Sequence, residues 1–239
     1  MFIKIWFTYG ATLLIAVLLT ACSGEQNKDS AEPAGLIPSQ AETDQQVNEE
    51  YQTIDPGKVE NGTYSNDYFG ISLNFPEEWL VMDTEALNGV MEAGADTIHS
   101  DSTSKKKALE RVQQRALNLF GASQFPMGES DTNASIMVLA QRINGPRDNY
   151  SGADNLEAVK RGFMEAELPY EFGPITSAAV GGKTFDVMKI TADLDDNETV
   201  TEYTYTILLD DYIFNILTVS YDDESQAVVQ KIIDSVTFK

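Results

Sequence analysis

Alternation of apolar and polar residues is clearest in the last seventy or so residues of the chain. The segments ITSAAV, KTFDVMKITAD, VTEYTYTILL and YIFNILTVSY are rich in Thr, Tyr, Ile and Val, which is typical of β-strands. Short turn-forming segments separate them, among them Gly181-Gly182, DLDDNET and Asp210-Asp211. The pattern predicts an antiparallel meander.

Further strands are predicted outside this meander. GISLNFP, from Gly70 to Pro76, alternates apolar and polar residues and predicts a half-buried strand that Pro76 ends. SIMVLAQRI, from Ser135 to Ile143, has the continuous apolar run of a central strand. The final Val236-Thr237-Phe238 predicts a short strand or a docked tail.

Four other segments have apolar residues at helical spacing and capping signals at their ends. The first predicted helix begins at Asp83 or Thr84, and the second runs from Lys105 to Gly121. The third begins at the cap Asp154, and the fourth begins at Asp223, with Gln226 in capping-box spacing. Their predicted buried residues are Leu87, Val90 and Met91; Leu109, Val112, Ala116, Leu119 and Phe120; Leu156, Val159 and Phe163; and Val229, Ile232 and Ile233. Strands and helices together predict a single α+β domain over residues 63–239, with an antiparallel twisted sheet flanked by helices.

Motifs at both ends of this domain resemble those of a known family. It opens with TYSNDYFGISLNFPEEW and closes with a helix followed by IIDSVTF, with long hairpins between. These features resemble the PsbP-like superfamily, which includes PsbP, the DcrB-like bacterial lipoproteins and the yeast Mog protein. The marks are Tyr68-Phe69 before a strand, Pro76 and Trp79 after it, and Ser235 to Phe238 at the end. The resemblance implies an α/β/α sandwich, a bacterial lipoprotein member, and a binding or assembly role without catalysis.

The aromatic marks have a simpler interpretation from the residues alone. An aromatic residue beside a strand most often packs in a core. Trp79 directly precedes the apolar step Leu80-Val81-Met82. We therefore predict that Trp79 and the Tyr68-Phe69 pair are core residues, not a platform on which a ligand stacks.

The first 22 residues have the pattern of a lipoprotein signal. Lys4 precedes an apolar stretch from Ile5 to Leu19, which is shorter than the roughly 20 residues that a membrane span needs. Leu19-Thr20-Ala21-Cys22 is similar to a lipobox, and Cys22 is the only cysteine in the chain. The expectation is a signal peptide over residues 1–21 and lipid attachment at Cys22; the alternatives are an ordinary signal peptide with a chance cysteine, or a buried core cysteine. Two acyl chains would anchor the protein stably without a span.

A polar segment separates Cys22 from the domain. Residues 23–62 are rich in Glu, Gln, Asp, Asn, Ser and Pro and carry nine acids against two lysines. Such a composition buries too little apolar surface to fold alone, which predicts a disordered acidic tether over residues 22–62. Docking of Leu36-Ile37, or of the segment from Val47 to Ile54, on the domain is the alternative.

The charge of the chain narrows the choice of partners. The net charge is −22, with 38 acidic and 16 basic residues. Such acidity disfavours nucleic acid and close contact with anionic lipid, and it favours a protein partner with a basic patch. Lys105-Lys106-Lys107 form the only basic cluster, and a solvated helix end explains it better than a docking patch does.

Catalytic and metal-binding signals are weak. His99 is the only histidine, and the chain has no G-x-S-x-G, phosphate-binding or dinucleotide-binding motif. Asp193, Asp195 and Asn197 occupy positions 1, 3 and 5 of a calcium loop, but Glu198 stands where the loop needs glycine and Thr204 where it needs a bidentate glutamate. A polar hairpin tip is therefore the preferred interpretation of that segment.

The sequence thus predicts an extracytoplasmic bacterial lipoprotein, anchored to a membrane through Cys22, that binds a membrane-associated protein and has neither catalytic residues nor a cofactor. An acidic, calcium-binding surface lipoprotein is the first alternative. A hydrolase without a recognisable motif is the second.

Overall fold

Two antiparallel β-sheets and two helices of three or more turns build the part of the chain that the structure describes. The structure is a computed structural model, and it describes residues 54–83, 85–89, 116–126, 129–130, 132–143, 150–165, 169–193 and 199–239. The predicted α+β class, an antiparallel sheet flanked by helices, is confirmed. None of the helices within these ranges is long and apolar enough to cross a membrane.

Twelve strands are described, all of them in antiparallel pairs. They are β1 (Lys58–Glu60), β2 (Thr63–Asn66), β3 (Ile71–Asn74), β4 (Leu80–Val81), β5 (Ala116–Ser123), β6 (Ser135–Arg142), β7 (Glu171–Phe172), β8 (Thr176–Val180), β9 (Lys183–Asp193), β10 (Thr199–Leu209), β11 (Tyr212–Ser220) and β12 (Thr237–Phe238). The smaller sheet has the order β1-β2-β3-β12. The larger, eight-stranded sheet has the order β4-β5-β6-β11-β10-β9-β7, and β8 also pairs with β9.

The predicted meander is confirmed as β8 to β11. Gly181 and Gly182 join β8 to β9 with φ of +58° and +80°, the left-handed conformation that a two-residue hairpin turn requires. Asp210 has a φ of +48° in the turn between β10 and β11. β6 lies between β5 and β11, as the continuous apolar run predicted for a central strand.

Helix α1 (Gly152–Glu165) and helix α2 (Asp223–Asp234) follow two of the predicted segments. The residue that caps each helix lies one to three positions before the predicted cap. Ser151 caps α1, because its hydroxyl accepts from the Asp154 N–H at 3.1 Å while the Asp154 carboxylate accepts from the Ser151 N–H at 2.9 Å. Asp222 and Ser225 form the same reciprocal capping box on α2. The predicted caps Asp154 and Asp223 are therefore both wrong.

The shorter predicted helix near Asp83 is present over residues 85–89. The Asp83 carboxylate accepts from the Ala86 N–H at 2.8 Å, and Leu87 is buried as predicted. Val90 and Met91 lie outside the described residues.

The helix predicted from Lys105 to Gly121 is wrong over its C-terminal part. Ala116 to Ser123 form β5, which pairs with β4 on one side and β6 on the other. Two neighbouring strands offer this segment backbone hydrogen bonds on both edges, and that tertiary pairing outweighs a local helical spacing. Leu109, Val112 and the three lysines lie outside the described residues.

Regular structure begins before the predicted boundary at Thr63. β1 pairs with β2 from Lys58↔Ser65 to Glu60↔Thr63, and Ile54 packs against the core. The Tyr64 hydroxyl donates to the Pro56 carbonyl at 2.7 Å. The last residues of the segment predicted as a tether therefore belong to the folded part.

Both faces of the larger sheet are covered. On one face, the smaller sheet and α2 bury an aromatic and aliphatic cluster that includes Tyr64, Phe120, Phe185 and Phe214; we call it the aromatic face. On the other, α1 covers a second cluster with Met137, Leu156, Val159, Phe163 and Ile190; we call it the α1 face. The predicted buried residues of α1 and α2 all lie in these clusters.

Candidate interaction surface

Few of the residues singled out from sequence as a possible site fall in the described structure. Cys22, Asp195, Asn197 and His99 lie outside it. Asp193 ends β9, and its carboxylate accepts a hydrogen bond from the Thr199 hydroxyl of β10 at 3.0 Å. Within the described ranges, no group of three or more His, Cys, Asp or Glu side chains could hold a metal ion.

The aromatic residues predicted as core divide into two kinds. Trp79 is buried in the aromatic face, as predicted, and Phe69 is partly buried against the same cluster. Tyr68 is not a core residue, because 59% of it is exposed. The prediction is therefore wrong for Tyr68 alone.

The turn between β2 and β3 explains why Tyr68 points outward while Phe69 points inward. The buried Asn66 side chain accepts from the Phe69 N–H at 3.1 Å and donates to the Asp55 carbonyl at 3.0 Å. Gly70 then adopts a φ of +66° to return the chain into β3. Asn66 thereby fixes the turn, in which Phe69 packs against the core and Tyr68 lies outside it, open to solvent.

Ring contacts hold Tyr68 in place although it is exposed. Its ring meets Phe69 edge-to-face at 4.9 Å between centroids and Tyr212 edge-to-face at 5.9 Å. Phe69 in turn contacts Tyr212 at 5.4 Å and Phe214 at 5.2 Å. Edge-to-face pairs at such distances are each worth about 0.5–1.5 kcal/mol beyond area burial. Tyr68 is thus an ordered aromatic side chain supported from the core and open to solvent.

Acidic residues precede Tyr68 and its ring neighbour Tyr212 in the chain. Asp67 precedes Tyr68, and Asp210 and Asp211 form the turn that leads into Tyr212. Asp67 meets Lys239 at 3.1 Å, and Asp211 meets Arg142 at 3.9 Å. The Asp67–Lys239 pair is over 80% exposed, so it contributes little stability and exchanges readily with solvent or a partner. We call this surface, made of Asp67, Tyr68, Asp210 and Asp211, the Tyr68 corner.

The largest unexpected feature is a buried carboxyl group on the α1 face. Glu202, in the middle of β10, is fully buried. Its Oε1 accepts a hydrogen bond from the Thr204 hydroxyl at 2.6 Å, and its Oε2 has no hydrogen-bond partner. Burial raises the pKa of Glu202 from 4.5 to about 8, against the smaller opposite effect of the Thr204 hydrogen bond. The carboxyl group is therefore mostly protonated at neutral pH.

Sequence reasoning missed both Tyr68 and Glu202 as special residues. In VTEYTYT, strand alternation places Glu202, Thr204 and Thr206 on one face and Tyr203 and Tyr205 on the other. A polar face of that kind predicts solvent exposure, and α1 instead covers it. A signal for Tyr68 exists only in its neighbours, because Asp67 and Gly70 mark a turn whose tip must contain an exposed residue.

No protein-family model matches the chain, and no curated protein matches it. LpqN of Mycobacterium tuberculosis, involved in cell envelope biogenesis, is 15% identical with a TM-score of 0.41, over 77% of this chain and 86% of LpqN. A Bacteroides thetaiotaomicron protein is 10% identical with a TM-score of 0.37, over 76% of this chain and 49% of that one. The PsbP protein of Synechocystis, CyanoP, is 11% identical with a TM-score of 0.43, over 77% of this chain and 96% of CyanoP. One of these structures is thus a PsbP protein, the kind of protein that the sequence motifs resemble.

Proposed function

We propose that this protein is an extracytoplasmic, lipid-anchored module that binds another protein at or near a membrane and carries out no turnover. The observation that carries the proposal is Tyr68, an aromatic side chain that is 59% exposed yet held by two neighbouring rings. A rigid exposed aromatic residue is the kind of anchor that dominates protein interfaces.

The chemistry of the Tyr68 corner specifies the kind of partner. An aromatic ring beside Asp67, Asp210 and Asp211 suits an arginine or lysine side chain, which can pack on the ring and approach a carboxylate. The net charge of −22 adds a long-range attraction for a basic surface. The partner is therefore a protein with a basic patch, and its affinity falls as salt screens charges over a Debye length of about 8 Å at physiological ionic strength.

The proposal that the protein catalyses no reaction rests on whether its ionisable side chains can contact a substrate. Among the described residues, the one carboxyl group with a strongly raised pKa is Glu202, which is enclosed beneath α1 and cannot touch a substrate in this conformation. Asp193 lies at a strand end with a hydroxyl as its described partner. A robust turnover on any substrate, abolished by one side-chain change, would contradict this part of the proposal.

The site itself is tested by photocrosslinking in cells with the full-length chain. A photoreactive phenylalanine analogue at position 68 is expected to crosslink to one membrane-fraction protein, and Asp210→Asn with Asp211→Asn should weaken that crosslink. Met164, 61% exposed on α1, is the matched control position and should give no such product. Equal crosslinking from both positions, or a product insensitive to the two charge changes, would contradict the Tyr68 corner as the interface.

The membrane anchor is tested separately. Metabolic labelling with palmitate should mark the wild-type protein and not Cys22→Ser, because the lipobox cysteine is the proposed acylation site. Label that survives the substitution would overturn the anchor while leaving the interface untouched. A calcium-dependent rise in melting temperature would favour the alternative of a cation-binding lipoprotein, and none is expected.

A further inference from the structure

The α1 face contains a row of polar side chains where a layer between helix and sheet would ordinarily be apolar. Glu202, Thr204 and Thr206 succeed one another on β10, and Asn215 of β11 lies opposite Thr206. All four are completely buried. The Thr206 hydroxyl donates to Asn215 Oδ1 at 2.7 Å. Glu202 is the one ionisable side chain of these four.

Register and packing place Glu202 under the C-terminal half of α1. At the start of the helix, Gly152 lies against Asp186 and the Thr206 carbonyl. Towards its end, Phe163 lies 5.7 Å from the ring of Phe172, which pairs with Ile190 of β9. Ile190 is also the β9 residue opposite Glu202. The helix therefore runs along β9 and β10 and closes over the carboxyl group.

Apart from the Thr204 hydroxyl, the neighbours of Glu202 on the adjacent strands are apolar. The residues opposite it on the two neighbouring strands are Ile190 and Val219. α1 contributes Leu156, Val159 and Phe163 to the cluster, whereas its charged Glu157 and Arg161 are exposed and Lys160 is half-buried. The titratable groups that face or border this layer are Asp186 on β9, four residues along from Ile190, and the phenols Tyr150, Tyr170 and Tyr221.

No basic side chain of the described structure contacts the Glu202 carboxyl group, and one of its two oxygens has no hydrogen-bond partner. An ionised carboxylate in such a place loses the hydration that stabilises its charge and gains one hydroxyl donor in return. Proton loss therefore favours any conformation that returns this carboxyl group to water. Departure of α1 would do so, because α1 lies along β9 and β10 on this side of the sheet. The short helix over residues 85–89 adds Leu87 to the same cluster, and the four-stranded sheet and α2 cover the opposite face.

We propose that α1 is a proton-controlled lid on the larger sheet: it stays closed while Glu202 is protonated, and loss of that one proton opens it. The step involves a single proton, which passes to solvent as the carboxyl group becomes exposed. Opening uncovers the apolar side of α1 and the matching face of β9 and β10, at the other side of the sheet from the aromatic face. The proposal is independent of the Tyr68 corner and of the identity of any partner.

Linkage fixes the pH dependence that this lid must show. Burial raises the pKa of Glu202 in the closed form, so the closed form binds one more proton than the open form between the two pKa values, 4.5 and about 8. The opening equilibrium constant therefore rises tenfold per pH unit within that window. From pH 5.5 to pH 7.5 it should rise about 100-fold.

Amide hydrogen exchange on the intact chain measures this opening directly. After correction for intrinsic exchange rates, protection of the α1 amides should fall about 100-fold from pH 5.5 to pH 7.5. The amides of β11 report global unfolding, because that strand is buried along its whole length. Their protection should exceed that of α1 at every pH.

Substitutions at Glu202 and at Glu157 distinguish the effect of the Glu202 proton from the effect of other charges on α1. Glu202→Gln should remove the pH dependence of α1 exchange, and Glu202→Met serves the same purpose if the glutamine variant does not fold. Glu157→Gln removes an exposed acid from α1 itself and should leave the 100-fold change intact. Protection of α1 that does not change with pH, or that equals the protection of β11, would overturn the lid. A pH dependence that persists without Glu202 would overturn it as well.

Discussion

The two faces of the larger sheet are buried equally well and differ in what they bury. The aromatic face joins the rings of Tyr64 and Phe120, stacked at 4.6 Å, with Phe185 and Phe214. The most deeply buried phenol among its described residues, Tyr64, donates to the Pro56 carbonyl at 2.7 Å. The α1 face instead buries the row from Glu202 to Asn215, with an unpartnered carboxyl oxygen.

This difference gives the two faces different roles: one supplies constant stability, and the other responds to pH. Interlocked rings give the aromatic face a fixed arrangement that changes little with solution conditions. A buried ionisable group makes the α1 face respond to pH, because its protonation state and its exposure are linked. Four substitutions test that difference between the two faces.

The largest effect is expected on the aromatic face. Phe214 is fully buried and contacts Phe69 at 5.2 Å and Phe238 at 6.2 Å between ring centroids. Phe214→Ala should lower the free energy of unfolding by about 3–5 kcal/mol, because it leaves a cavity among aromatic neighbours. Chemical denaturation at several pH values measures it, and the loss should be the same at each. A loss that varies with pH would contradict the claim that the stability of the aromatic face is independent of pH.

Glu202→Gln should change the pH dependence of stability. Because the folded-state pKa is raised from 4.5 to about 8, the stabilisation is complete below pH 4.5 and is lost as pH rises towards 8. The wild type should lose about 1.4 kcal/mol per pH unit relative to the variant, or about 3 kcal/mol from pH 5 to pH 7. Denaturation curves of the two proteins at matched pH measure the difference. Parallel pH profiles would contradict the burial of an ionisable carboxyl group.

Gly152→Ala tests how closely α1 must approach the sheet. A Cβ at this position would lie 2.8 Å from the Thr206 carbonyl oxygen and 2.8 Å from Asp186 Oδ2. A backbone carbonyl cannot move aside, so the helix start must shift, at a cost of about 1–3 kcal/mol. Gly162→Ala, where a Cβ would meet nothing within 4 Å, is the matched control on the same helix and should not destabilise. Equal melting temperatures for the two variants would show that the close approach is not needed.

Tyr68→Ala should have the smallest effect on stability. The side chain is 59% exposed and its ring contacts lie at the edge of the aromatic face, so the expected loss is below about 1 kcal/mol. Binding to the crosslinked partner should nevertheless fall at least tenfold, as for an interface anchor. Tyr203→Ala, at a partly buried tyrosine on β10, should leave binding unchanged. Loss of binding in both variants would point to general destabilisation instead of a local interface.

Much of the fold could be predicted because short-range signals repeat along the chain. Gly181-Gly182 and Asp210-Asp211 specify turns, and the Thr-, Tyr- and Ile-rich segments on either side specify the strands that they join. The apolar run of β6 indicated a strand covered on both faces, as observed. The predicted caps of α1 and α2 lie one to three residues from the observed caps. Several neighbouring Ser and Asp side chains have similar capping strength, so the sequence does not single out one of them.

The candidate sites could be predicted less well. Tyr68 was expected in the core because an aromatic residue beside a strand most often packs inward, and only the hydrogen bonds of Asn66 decide which of two adjacent rings turns outward. Asp193 was a candidate because of its spacing from Asp195 and Asn197, which lie outside the described residues. Its calcium role stays a hypothesis.

The sequence by itself determined the properties that depend on composition and local pattern: the antiparallel hairpins, the two capped helices, the acidic character, and the lipobox-like motif around Cys22. The tertiary structure decided which surfaces are covered. It converted Ala116 to Ser123 from a predicted helix into β5, because strands on both sides supplied hydrogen bonds. It also placed α1 over Glu202, which strand alternation alone would assign to solvent. Burial of a carboxyl group depends on contacts between segments far apart in the chain, and no local pattern encodes them.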